Sequence, residues 1–90
     1  MVNRNIAINH KVGLHARPAA QFVELASKFP CEIELRNLTR ESRKVNAKSM
    51  LMVLSLAVSS GHEVEITANG EQEREALQAL VELIESNFGE

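Results

Sequence analysis

Cys31, Ile33 and Leu35 alternate with Glu32, Glu34 and Arg36, and the alternation returns where Val64, Ile66 and Ala68 interleave with Glu63, Glu65 and Thr67. A period of two places the apolar side chains of each run on one face of a strand, so each run needs cover on one side and tolerates water on the other. That cover lies in the neighbouring segments. From a start near Ala16, the residues Ala19, Phe22, Val23, Ala26 and Phe29 recur at helical spacing with Gln21, Glu24 and Lys28 opposite them, and Pro30 closes the helix. From residue 71 to about 87, Ala76, Leu77, Leu80, Val81 and Ile84 form a second stripe, with Glu71 and Glu73 suited to the positive end of the helix. One-sided strands alternating with helices predict an α+β fold, an open two-layer sandwich with the helices on a single face of the sheet.

The remaining segments complete the order. Ile6 and Ile8 alternate with polar neighbours in residues 3–9, a first strand, and HKVG reads as a turn. RNLTRESRK is a long hairpin connection, returning through a weaker strand in residues 44–47 that rests on Val45 and Ala47. Ser49 then precedes MLMVLSLAV, an apolar block whose residues cannot all point to one side of a helix, so part of it should stay exposed. Gly61 ends the block, and Asn69-Gly70 turns into the last helix. Ninety residues hold too little interior for two cores, so residues 1–90 are expected to form one domain.

Composition removes several functions. A formal net charge of -2 with scattered signs, and only Phe22, Phe29 and Phe88 as aromatic residues, argue against a nucleic-acid partner. The single cysteine, Cys31, excludes an internal disulfide and a multi-thiolate metal site and reads as a small buried hydrophobe. No apolar stretch approaches a signal peptide or a membrane span, so a cytoplasmic protein without membrane insertion is expected. His10 and His62 lack partners at metal-ligand spacing; no metal is expected, and both read as solvated loop residues.

His15 is different. It falls where the strand pattern turns helical, next to unpaired backbone N–H groups and the positive end of a helix dipole. A neutral imidazole has one ring nitrogen free to attack. A phosphoryl group on that nitrogen could accept hydrogen bonds from the first N–H groups, those of Ala16 and Arg17, with the Arg17 guanidinium as a charged fork. Pro18 fixes the backbone just after the site, where its missing N–H costs little. By pattern alone, His-x-Arg at a helix start also fits a surface cap beside a solvated charge.

The stretch GLHARPAA, residues 13–20, followed by VNAKSMLMVLSLAVSSG, residues 45–61, resembles the HPr family, the histidine-containing phosphocarriers of the phosphoenolpyruvate-dependent phosphotransferase system. Element order, length and both motifs agree over nearly the whole chain. The resemblance implies that His15 takes a phosphoryl group on Nδ1 from phosphorylated enzyme I and passes it to enzyme IIA, with Arg17 beside the phosphate. It also implies an open-faced β-sandwich, a four-stranded antiparallel sheet with three helices on one face in the order β-α-β-β-α-β-α. Such a protein is a monomeric carrier with neither turnover nor cofactor of its own.

Ser49 matches the position that HPr kinase/phosphorylase phosphorylates with ATP in family members from bacteria that have the kinase. Independently, a serine before an apolar helix is an N-cap worth ~1 kcal/mol. A phosphate there adds roughly -1.5 to -2 charge and changes what can dock nearby. Met50, Leu51 and Leu54 are expected in the exposed part of the apolar block, where by resemblance they meet enzyme I, enzyme IIA and the kinase.

The long hairpin, Met52 and Ala57 where many relatives have glycine, and the ending ALVELIESNFGE also resemble NPr, the nitrogen-branch relative whose output is regulation without sugar transport. A regulatory binding module acting through Ser49 stays open. An acyl-phosphate hydrolase using Arg17 would need a glycine-rich phosphate cradle that does not precede it, and would leave His15 idle.

Overall fold

A computed structural model of the chain describes residues 1–89. Strands β1 (Val2–Ala7), β2 (Glu32–Asn37), β3 (Val45–Asn46) and β4 (Glu63–Asn69) form one sheet in the order β1-β4-β2-β3, with every pairing antiparallel. Helices α1 (Ala16–Ala26), α2 (Met50–Ser55) and α3 (Glu73–Glu85) complete the expected order, and a short 3-10 turn, Asn87–Gly89, follows. β4 takes a central place because it is the most thoroughly apolar strand: Val64, Ile66, Thr67 and Ala68 are all buried.

Register carries the alternation across the sheet. Ile6 faces Val64, and Leu35 and Ile33 face Ile66 and Ala68, so the apolar phases of three strands coincide. Onto that face come Phe22 of α1, Val53 of α2 and Leu80 of α3, each fully buried. Burying one such side chain stabilises the fold by about 1.5–3 kcal/mol. On the opposite face Glu32 and Glu34 stay exposed, and Arg36 approaches Glu65 at 3.8 Å.

Several elements are shorter than their patterns. The weak strand after the hairpin is only Val45–Asn46, because Ala47 already turns toward α2 while its N–H still donates to the Ile33 carbonyl. The block MLMVLSLAV is not one helix: α2 stops at Ser55, Ala57 takes φ 50°, and Val58 is buried in the segment leading to β4. The last helix starts at Glu73 rather than residue 71, since Gln72 adopts left-handed φ 63° and Glu73 reaches back to accept the Gly70 N–H. That bond, with the Met1 ammonium 3.1 Å away, holds the Glu73 carboxyl below its ordinary range.

Both remaining histidines correct the sequence reading. His10 is buried, not solvated. His62 is half-buried, and its Nδ1 accepts from the Ser59 N–H and lies 3.1 Å from Nδ2 of the fully buried Asn37. The pattern hid this because both lie in loops, where no periodicity reports burial. Cys31 is buried as expected.

Candidate functional site

The loop between β1 and α1 is held from below. Leu14 N–H donates to the Val58 carbonyl, Ile8 N–H to the His62 carbonyl, and Gly61 N–H returns a bond to the Ile8 carbonyl. Gly13, at φ 75°, makes this approach possible: a Cβ there would sit 2.4 Å from the Val58 carbonyl oxygen, so any other residue must push the two segments apart. The chain leaving α2 is therefore the floor on which the His15 loop rests.

His15 is the N-cap residue of α1, with extended backbone, and its side chain makes no capping hydrogen bond. Its carbonyl accepts the Ala19 N–H at 2.9 Å, which starts the helix. Pro18 has no N–H to offer, so the unsatisfied donors of this first turn reduce to Ala16 and Arg17, neither of which finds an acceptor among the described residues. His15, Ala16 and Arg17 are all exposed, and among the described residues Arg17 forms no ion pair. One helical turn thus presents a ring nitrogen, two open N–H groups, the positive end of an eleven-residue helix and an uncommitted guanidinium. That is an anion-holding arrangement around a nucleophile.

A model of the family described as "PTS HPr component phosphorylation site" matches residues 2–86. The chain belongs to the HPr family. The phosphocarrier protein HPr of Pseudomonas putida is 42% identical over 90 residues, covering 100% of this chain and 98% of that one. The HPr-like protein Crh of Bacillus subtilis is 44% identical over 85 residues, covering 94% and 96%. Among solved structures, HPr-C-His from Thermoanaerobacter tengcongensis superposes with a TM-score of 0.94 at 51% identity, covering 100% and 98%. The chain spans only 17% of a longer relative, the multiphosphoryl transfer protein of Haemophilus influenzae, at 41% identity. The open-faced sandwich and the phosphocarrier family read from the sequence both hold.

Ser49 begins a different helix, and its Oγ accepts the Met52 N–H at 3.3 Å, the capping bond expected of it. Beside it, Lys48 Nζ donates to the Phe29 carbonyl at 2.6 Å, a cation on the chain leaving α1. Of the residues expected in the exposed apolar block, Leu51 is 77% exposed and Leu54 is exposed, while Met50 is half-buried. Besides Met1, two exposed apolar side chains fall outside that expectation, Met52 on α2 and Val12 in the His15 loop. Met52 was legible in the block's excess of apolar residues; a lone valine in a turn gives no signal.

His10 was missed as well. Its ring centroid lies 5.6 Å from that of His15, tilted by 50°, and 5.8 Å from that of Phe88, edge-on. No helix is long and apolar enough to cross a membrane, and no metal-holding cluster occurs among the described residues.

Proposed function

We propose that this HPr-family phosphocarrier takes its phosphoryl group on His15 Nδ1 from phosphorylated enzyme I and delivers it to an enzyme IIA domain. The Nδ1 lone pair attacks phosphorus as the donor's phosphorus–nitrogen bond breaks, and the donor nitrogen keeps that bonding pair. The oxygens then accept from the Ala16 and Arg17 N–H groups, and the Arg17 guanidinium swings onto them. The observation that carries this reading is the uncapped start of α1, with those two N–H groups unbonded. Leu51, Leu54 and the half-buried Met50 are the docking surface, supported by the bonding of the His15 loop to the chain leaving α2.

Ser49 is a second, regulatory site for an ATP-dependent HPr kinase/phosphorylase, and phosphate there weakens docking of enzyme I. The protein works in the cytoplasm and as a monomer; His15, Ala16 and Arg17 come from one chain, so the site needs no second copy, and a T. tengcongensis HPr dimer, 51% identical, makes sedimentation the check. A module acting through Ser49 alone is the second reading, favoured by the exposed Leu51 and Leu54 on the helix that Ser49 caps.

The test is phosphoryl uptake from phosphoenolpyruvate through enzyme I, using a sugar-type and a nitrogen-type donor and reading acid-labile phosphate on intact protein. Label that disappears in His15→Ala supports the carrier, and the faster donor assigns the branch. A folded protein unlabelled by both leaves the Ser49 module.

A further inference from the structure

Three rings stand in a row from the C-terminal turn to the functional loop: Phe88, His10 and His15. Phe88 is 3% exposed and His10 5%, whereas His15 is exposed, so the row runs from the interior outward. His10 is oriented within its own turn, since Nδ1 faces the Val12 N–H at 3.4 Å. Phe88 reaches it only because the chain after α3 makes two consecutive left-handed residues, Asn87 at φ 57° and Phe88 at φ 58°. Non-glycine residues are strained there, a cost offset here by burying the Phe88 ring. The ring separations lie in the range where aromatic groups attract and restrict one another.

We propose that His10 is a positioning residue for phosphoryl transfer: its ring, backed by Phe88, limits the orientations of the exposed His15 ring and keeps Nδ1 toward the open N–H groups of Ala16 and Arg17. The inference rests on His15 being the acceptor. A long, exposed imidazole has two free torsions, and a buried ring against one side removes part of that freedom before the donor arrives. His10 touches no phosphoryl group in this scheme; it acts through His15.

The experiment pairs two substitutions that separate ring packing from the hydrogen bond to Val12. His10→Phe keeps a ring and loses the acceptor; His10→Asn keeps an acceptor and loses the ring. In transfer from phosphorylated enzyme I, His10→Asn is expected to lower kcat about 10-fold with KM within a factor of about two, while His10→Phe stays within about threefold of the parent kcat. Phe88→Ala, which removes the backing ring, should lie between them. The reverse order for the two His10 variants, or equal rates in both, overturns the proposal. So does a fall confined to KM. A readout independent of enzyme I uses the unphosphorylated protein: NMR relaxation of the His15 ring should show faster, wider motion in His10→Asn than in the parent or His10→Phe, at unchanged backbone spectra away from the loop. Unchanged ring motion refutes the positioning role even if His15 proves to be the acceptor. Restricted motion with no labelling of the parent chain would instead refute the carrier reading alone.

Discussion

The helices α1 and α2 begin in opposite ways. α2 starts from Ser49, whose hydroxyl oxygen closes the first turn on the Met52 N–H. α1 starts from His15, whose side chain closes nothing, and the Ala16 and Arg17 N–H groups stay unbonded among the described residues. A start built for stability alone would carry Asp, Asn, Ser or Thr, worth about 1 kcal/mol over a residue that cannot cap. In α3 the N-cap side chain, that of Gln72, makes no capping hydrogen bond either, and Glu73 accepts the N–H of Gly70, which precedes the helix. Of the three N-cap side chains only that of Ser49 makes a capping hydrogen bond, and in α1 Pro18 removes the third donor while an imidazole stands beside the two that remain. In the function proposed above, the phosphoryl group on His15 takes the place of the cap that α1 lacks.

The sharpest way to break that contrast is to cap α1. His15→Asp should abolish phosphoenolpyruvate-dependent labelling and at the same time raise stability by about 1 kcal/mol in urea denaturation. A variant that loses label without gaining stability would mean the first turn is already satisfied. Next in size, Arg17→Ala should slow transfer about 10- to 100-fold without stopping it, because the two N–H groups remain. Rapid-quench rates equal to the parent would remove Arg17 from the site.

Uncapping α2 is the converse. Ser49→Ala should cost about 1 kcal/mol and leave labelling of His15 intact, whereas Ser49→Asp keeps a capping carboxylate and with it the stability, but slows uptake from enzyme I. Uptake from enzyme I unchanged in Ser49→Asp would count against docking beside Ser49. Smallest is Glu73→Gln. The folded-state pKa of Glu73 lies below the ordinary value of 4.5, so its contribution is present above that pH and lost as pH falls through the folded value. Parent and variant should differ slightly at neutral pH and converge in acid; a gap that persists in acid would show that the bond to Gly70 works without charge.

Most of this architecture was legible because its periods are clean. Alternation in residues 31–36 and 63–68 and the stripes of α1 and α3 report burial directly: of the apolar residues they name, all but Val23, Phe29 and Leu77 are buried in the core, and those three pack partly buried against it. The helix starts at His15 and Ser49 were legible for another reason: each sits where a pattern changes. What escaped lies where no period applies. His10 and His62 are held by contacts reaching from residues 88 and 37, and nothing near either in sequence announces such partners. Gly13 could be read as a turn, yet its contact with Val58 depends on how α2 ends.

The most direct measurement follows backbone amides as the phosphoryl group arrives. In 1H–15N spectra recorded before and after phosphorylation through enzyme I, the largest changes should fall on Ala16 and Arg17, with the Met52 amide under Ser49 unmoved. Phosphorylated protein in which those two amides stay put, or in which α2 shifts instead, would contradict the claim that the open start of α1 holds the group.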